Sequence, residues 1–381
     1  MLLFKVEDTL ALTNPIQVSK NIFNLAYISR SRLHRNRANL IQTLHTVSAL
    51  EQAGIHVTLF LPPWKRKCNL QERLRELGIQ RNLDIRASRS LHSRWKIWPF
   101  ILFHKSTLSQ ADAVFTRSPE VSIILSRANL PHYLEIHEVK QLANKNLLHP
   151  IIEAYNGGII KWLLPISQSA ARGLVEAGAA KDRILVTPCG VDIRAFQGVP
   201  PLDPKRLTFP RILHAGRIGP KRGSDILKEI AKKKLAQLLL VGEVEKDFLS
   251  HPFVKVSPHV PHAKIPQLYA SCEIVLLPYQ RTTPTSDSMS PLKLFEAMAA
   301  GRPIIASDLP PLREILEHEK TALLVEPENI EAWIRAIETL KNDPALALRL
   351  SNTLRQEAHR YSWEARAQRI ASLLKSDTNL I

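Results

Sequence analysis

Along the chain, short apolar or β-branched runs alternate with longer stretches whose apolar residues recur every three or four positions. This is the pattern of stacked strand–helix–strand units. Residues 22–28 read as a strand, 37–53 as a helix stopped by Gly54, and 55–61 as the next strand, closed by Pro62 and Pro63. Further strands are predicted at 83–87, 113–116, 132–136, 162–166 and 184–187, with helices at 70–77, 120–128 and 167–177. A proline-rich break at 198–204 follows, as an interdomain linker would. The pattern then restarts with strands at 211–215, 237–241, 253–256, 273–278, 303–306 and 322–325 and a helix at 224–234. It closes in helices at 330–341, 344–359 and 362–374.

The expected fold class is therefore α/β, with two Rossmann-like parallel-sheet domains facing a central cleft. The predicted bounds are an N-terminal domain over 1–198, a linker over 199–205, a second domain over 206–360 and a closing helix over 361–381. A chain of 381 residues exceeds what one core usually supports, which agrees with two domains. Ligands of parallel sheets collect at the carboxyl ends of the strands, so the cleft is the expected site. No GxGxxG follows the first strand, where residues 29–37 read SRSRLHRNR, so an ordinary dinucleotide-binding domain is not expected.

Composition narrows the class. With 45% hydrophobic and 23% charged residues, the chain is not expected to be disordered. No apolar run is long enough to span a bilayer, and Lys5, Glu7 and Asp8 interrupt the N-terminal apolar residues, so a cytoplasmic protein is expected. Cys68, Cys189 and Cys272 form neither a disulfide pattern nor a zinc pattern. The net charge of +17 is uneven: residues 1–200 hold 26 Lys+Arg against 14 Asp+Glu. That imbalance suits an anionic partner for the first half (a membrane surface, a polyanionic acceptor or nucleic acid) or simply a solubilising surface. Residues 64–100 hold ten Lys+Arg and three Asp+Glu, interleaved with Trp64, Trp95, Trp98 and Phe100. This composition fits a peripheral site on an anionic inner membrane face, and equally a solvated face over an ordinary core.

The densest chemical signal runs from Ser290 to Asp308, SPLKLFEAMAAGRPIIASD. Ser290 fits a helix N-cap, Pro291 the first helical position and Gly301 the residue past the helix end, with Pro303 preventing continuation. Lys293 then falls at the third helical position, where the helix dipole disfavours a cation by roughly 0.3–1 kcal/mol. A lysine beside the free amides of Leu292 and Lys293 makes sense if an anion such as a diphosphate binds there. Glu296 lies three residues on, on the same face, where a carboxylate can accept both hydroxyls of a ribose. A plain surface pair of Lys293 and Glu296 has the same spacing, and the spacing leaves both readings open.

This run resembles the nucleotide-binding signature of the retaining glycosyltransferases of family 4, which have the GT-B fold. Their second glutamate matches Glu296 and implies ribose binding. Their first, which faces the transferred sugar, falls at Ser288, with Asp287 one residue off. Residues 214–223, HAGRIGPKRG, resemble the loop that carries an arginine and a lysine to the donor diphosphate. Arg217 matches the arginine, and Arg222, with Lys221 beside it, takes the lysine position. Residues 163–178 and 184–196 look like the last units of the family's first domain, with Cys189 where asparagine is usual and Gly190 allowing a tight turn at the cleft. Residues 260–262 and 276–279, ending in Tyr279, match the surroundings of the base pocket. Tyr361 to Trp363 open a helix that in this fold packs back on the first domain. His137 is similar to a histidine that approaches the donor sugar near its reacting carbon, and Glu135, on the same strand face, is placed to orient it. The resemblance covers roughly residues 20–375.

What the resemblance implies is retaining, metal-independent transfer of a sugar from a nucleotide diphosphate sugar to a cell-envelope or lipid-linked acceptor, with no cofactor beyond the donor. His137, Arg217, Arg222 and Glu296 would be catalytic. Arg217, Lys221, Arg222, Tyr279, Ser290, Leu292, Lys293 and Glu296 would bind the donor, and the first domain would take the acceptor near residues 29–37. Fixed cations would stabilise the departing phosphate, and no DxD motif for a divalent ion is present. The rival readings are a sugar-nucleotide epimerase or phosphorylase of the same architecture, a degenerate homologue lacking the acid at Ser288, and a non-catalytic basic anion- or nucleic-acid-binding protein. No nucleic-acid module appears, so no nucleic-acid partner is expected.

Overall fold

The computed structural model describes residues 22–65, 68–92, 97–244 and 251–378; Trp95 and the side chain of Lys221 lie outside the described residues. The first half places β1 (Phe23–Ile28), α1 (Ala38–Gln52), β2 (Ile55–Leu61), α2 (Leu70–Glu76), β3 (Asp84–Ala87), α3 (Trp98–Gln110), β4 (Ala113–Thr116) and α4 (Pro119–Arg127) in order. It continues with β5 (His132–Ile136), α5 (Val139–Asn144), α6 (Leu148–Asn156), β6 (Ile160–Pro165) and α7 (Gln168–Glu176). The second half comprises β7 (Arg211–Ala215), α8 (Ser224–Lys232), β8 (Gln237–Val241), β9 (Val254–Ser257), α9 (Ile265–Ala270), β10 (Ile274–Leu277) and α10 (Leu292–Ala300). After these come β11 (Ile304–Ser307), α11 (Pro310–Arg313), β12 (Leu323–Val325), α12 (Ile330–Asn342), α13 (Pro344–Glu357) and α14 (Trp363–Thr378).

The strands form two six-stranded sheets, β3-β2-β1-β4-β5-β6 and β12-β11-β10-β7-β8-β9, parallel throughout. Each order reads outward in both directions from its first strand, as in doubly wound nucleotide-binding sheets. Helices cover both faces, so central strands are continuous apolar runs: Ile274–Leu277 and Ile304–Ser307 are buried at every residue.

Three expectations are corrected. Residues 184–187 are not a sheet strand. They run beside β6, the amides of Leu185 and Thr187 donating to the Leu163 and Pro165 carbonyls, and Pro188 then removes the next donor. The helices α3, α5 and α6, none of which has a side-chain N-cap, are absent from the sequence prediction. Gly190 is not in a left-handed turn. It is small because Trp363 lies over it, where a Cβ would stand 3.0 Å from the indole ring.

The two sheets meet through polar contacts and one long packing element. Glu314 accepts from the Gln168 and Ser169 amides (2.7 and 2.6 Å), capping α7 from the other half of the chain. Ser167 Oγ donates to the Ser288 carbonyl, 3.3 Å away, and Lys140 pairs with Asp287. Helix α14 crosses back and packs on α1.

Candidate functional site

In a sheet of this order the crevice opens where the winding reverses, here between β7 and β10. The chain leaves β7 through Gly216, whose φ of 134° only glycine adopts readily. Beside it Gly242 approaches so closely that a Cβ would lie 2.2 Å from the Gly216 carbonyl oxygen. Two bare backbones thus leave room at the strand ends. A cavity of about 330 Å³ opens there, lined by Gly216, Arg222, Tyr279, Lys293 and Glu296 from the second domain. Asn36, Ile41, His137 and Glu138 close it from the first. A larger recess of about 850 Å³ adjoins it, sharing Ile41, His262, Leu292 and Glu296, and runs beneath α1 toward Trp363. The smaller cavity holds the convergent charges and is the one on which the chemistry turns.

Helix α10 starts one residue later than the sequence suggests. Pro291, with ψ of 128°, is the cap, so Lys293 occupies the second helical position. Ser290 does not cap the helix: its hydroxyl accepts from the Cys189 amide at 2.9 Å, tying the end of the first domain to the site. Leu292 and Lys293 face the cavity with the unsatisfied amides of a helix start.

The guanidinium of Arg222 and the ammonium of Lys293 each stand 5.0 Å from the centre of the Tyr279 ring. Neither has a carboxylate within ion-pair distance among the described residues. Burial, and then the charge of Arg222, lower the Lys293 ammonium to about 7. Glu296 is buried, and burial raises its carboxyl to about 7 against the pull of the Tyr269 hydroxyl and Lys293. The Tyr269 hydroxyl bonds it at 3.1 Å, and His262 Nδ1 is 3.7 Å away. Lys293 and Glu296 are therefore not a solvated surface pair. They are separate, half-compensated charges on one wall.

The opposite wall is closed on itself. Glu135 is fully buried at the end of β5 and accepts from Gln42 Nε2 (2.7 Å), from His137 and from Arg366. Arg366, on α14, is equally buried and also donates to the Thr187 and Pro188 carbonyls and to Thr46 Oγ1. Although burial opposes ionisation, the neighbouring Arg366 and His137 hold the Glu135 carboxyl far below its usual range. Arg117 lies 3.4 Å from His137 Nδ1 and can only donate, which makes Nδ1 the acceptor and Nε2 the proton-bearing atom facing Glu135. Burial and Arg117 accordingly depress the imidazole's basicity. Both ring nitrogens are engaged, so His137 shapes the wall as a neutral ring.

Other predicted residues fall elsewhere. Arg217 is 58% exposed in its side chain and points to Glu243, 3.8 Å away, outside the cavity lining. Asp287, one residue from the family's first glutamate, pairs with Lys140 in a separate groove. Ser288 is buried, with its carbonyl taken by Ser167. Glu138, not singled out in the sequence, is the first domain's carboxylate on the cavity; burial raises its carboxyl, with Arg222 and Lys145 opposing. Its signal was its place directly after His137 at a strand end. Arg366 gave no local signal at all.

Comparison with known proteins bears on the fold and on the second half of the chain. Residues 209–343, which hold Gly216, Arg222, Tyr279, Lys293 and Glu296, match the family described as Glycosyl transferases group 1. Sulfoquinovosyl transferase SQD2 of Arabidopsis thaliana is 26% identical over 227 residues, covering 54% of this chain and 43% of that protein. D-inositol 3-phosphate glycosyltransferase of Pseudarthrobacter chlorophenolicus is 28% identical over 239 residues, covering 55% and 54%. The chain thus spans about half the length of the curated relatives it matches. Among solved structures, sucrose-phosphate synthase from Thermosynechococcus elongatus superposes with a TM-score of 0.73 at 18% identity, over 94% of this chain and all of that one. Anabaena Alr3699/HepE in complex with UDP gives 0.72 at 16% identity, over 93% and 100%. The chain has the GT-B fold of these structures, and its residues 209–343 match the glycosyl transferases group 1 family.

Proposed function

We propose that the chain is a glycosyltransferase that takes a sugar from a nucleotide diphosphate donor held between Gly216, Arg222, Lys293 and Glu296. The observation that carries this reading is the pair of cations, Arg222 and Lys293, with no carboxylate at ion-pair distance among the described residues, beside a helix start at the winding reversal. Charges left unpaired in a protein wall are costly unless a ligand completes them. A diphosphate supplies the missing anion, and the glycine backbone at Gly216 lets it approach. Glu296 accepts the ribose hydroxyls, and residues 259–262 border the base.

As the bond from sugar to diphosphate breaks, negative charge grows on the departing oxygen, and Arg222 and Lys293 stand ready to stabilise it without reorganisation. They do the work a divalent ion would do, so we propose metal-independent transfer, with turnover unchanged by a chelator. Retention of configuration rests on the resemblance of residues 290–308 to the retaining family. Glu138, the first-domain carboxylate on the cavity, takes over the sugar-facing role that Ser288 cannot fill. The acceptor enters from the side of Asn36 and α1, and the basic first half suits a cell-envelope or lipid-linked acceptor.

The test is calorimetric titration of the protein with UDP, GDP, ADP and CMP, alongside Glu296→Ala and Arg222→Ala. Binding of one nucleoside diphosphate that both variants lose supports the donor site and names the base. Absence of binding by all four overturns it. Product analysis with the matching nucleotide sugars then separates transfer from epimerisation or phosphorolysis.

A further inference from the structure

Six large apolar side chains are exposed among the described residues, and three of them, Trp98, Leu102 and Phe103, crowd the first turn and a half of α3. Leu102 is 76% and Phe103 78% exposed. The helix is held firmly from beneath: Phe100 and Ile101 are buried with Leu91 and Phe60, and His104 bonds Ser88 Oγ at 3.1 Å. Its apolar crown is therefore a fixed feature of the surface. The far half of the exposed face is polar, with Ser106, Ser109 and Gln110. This differs from the sequence expectation over 64–100, since Phe100 is core and Trp64 packs partly buried against the core.

The ground around this crown is predominantly basic, with Glu120 paired to Arg30 and Asp84 to Arg86 as its acids. The short helix Arg89–Leu91 packs against α3, and Arg30 Nε donates to the Leu91 carbonyl at 3.3 Å. Next to it Arg32, Arg35, Lys65 and His92 all lie close enough to His34 to act on its ring electrostatically. Arg89 and Lys105 are exposed beside the crown.

We infer that this face docks the protein on an anionic lipid bilayer, Trp98, Leu102 and Phe103 entering the headgroup boundary while the surrounding cations meet the lipid phosphates. An apolar wedge with a tryptophan, ringed by Lys and Arg, is the combination that binds such interfaces. A second copy of the chain is a poor occupant: three side chains fall short of the roughly 800 Å² per partner that a stable interface buries, and two like-charged rims repel. The surface is separate from the donor cavity, and its occupancy is independent of the donor reading. It sits on the acceptor-side domain, so docking would bring the mouth of the cleft to lipid-borne substrates.

The experiment is co-sedimentation of the full chain with vesicles of phosphatidylcholine alone and of equal parts phosphatidylcholine and phosphatidylglycerol. It is repeated with Leu102→Ser/Phe103→Ser and with Arg89→Ala/Lys105→Ala. The wild type is expected to bind the anionic vesicles at least about tenfold better than the neutral ones, and less as salt rises. The apolar double variant should lose about tenfold or more of that binding, and the basic one about three- to tenfold. Equal binding to both vesicles, or no loss in the apolar variant, overturns the inference. So does a wild-type dimer that the apolar variant turns into a monomer. UDP titration of the same samples keeps the readouts apart, because these surface variants leave the donor cavity untouched.

Discussion

At the carboxyl ends of β7 and β10, Arg222 and Lys293 face a cavity with no carboxylate paired to them among the described residues. At the ends of β4 and β5 the cations Arg117 and Arg366 are spent on Gln42, Glu135 and His137. The two sheets have the same strand order, yet one wall of the cleft is electrostatically open and the other closed. An open wall loses folding energy and gains affinity when the right anion arrives. A closed wall does the reverse: it holds its side chains in one geometry and has nothing left to offer as charge.

The contrast is broken most forcefully at Arg366. Arg366→Met leaves Glu135 buried with its strongest partner gone, and removal of one member of a buried pair costs about 3–5 kcal/mol. The expected result is a lower urea midpoint, partly restored by adding Glu135→Gln. An unchanged midpoint would mean that the closed wall is not held by charge.

Lys293→Met should act in the opposite sense. Nucleoside diphosphate affinity drops about ten- to a hundredfold, the worth of about 1.5–3 kcal/mol for a charge-assisted contact, while the unliganded protein is as stable as before or more so. Its pH dependence follows from the ammonium being lowered from 10.5 to about 7. Between those values the unfolded chain holds a proton that the folded chain has released, so wild-type stability gains from rising pH there, and Lys293→Met lacks that gain.

A subtler signature is proton exchange on binding. Near pH 8 the free Lys293 is mostly neutral, and an arriving diphosphate favours its charged form, so binding takes up protons. Near pH 6 the free Glu296 is mostly protonated, and ribose hydroxyls favour its carboxylate, so binding releases protons. The two groups titrate as a coupled pair. Calorimetry in buffers of different ionisation enthalpy should show the sign reverse across neutrality, with uptake lost in Lys293→Met and the release reduced in Glu296→Gln. A constant sign would remove both residues from the donor site.

Arg217 gives the smallest effect. With its side chain out toward Glu243, Arg217→Ala should change nucleotide affinity less than about threefold, as for an exposed pair. A loss matching that of Arg222→Ala would show that Arg217 swings inward when the donor binds.

Where chemistry is written in consecutive residues, the sequence was readable. The run of residues 290–308 announces a helix, its stop and a buried strand, and it sets Lys293 and Glu296 on one helical face, leaving open whether that face is a ligand wall or surface. Strands such as β8, where Leu238 to Val241 are all apolar, were legible to the residue because a continuous apolar run leaves little choice of period. Ser290 was misread because local cap rules cannot see a donor 101 positions away, the Cys189 amide. Helix α3 was invisible for a related reason: its outward face carries Trp98, Leu102 and Phe103 where an amphipathic helix would be polar. The closed wall was half legible. The step of two from Glu135 to His137 shows on a strand, but Arg366 joins them only through the fold.

Arg366 also sets an order of events. It follows Glu135 by 231 residues, so during synthesis the first sheet emerges long before the cation that completes it. Until α14 is delivered, the nascent first domain carries a carboxylate at its centre without its strongest counter-charge, and the ring of His137 lacks its fixed support. The ribosome has to release the chain through α14 before the first domain's wall can set, which couples the completion of that wall to the completion of the second sheet, whose strands all precede α14.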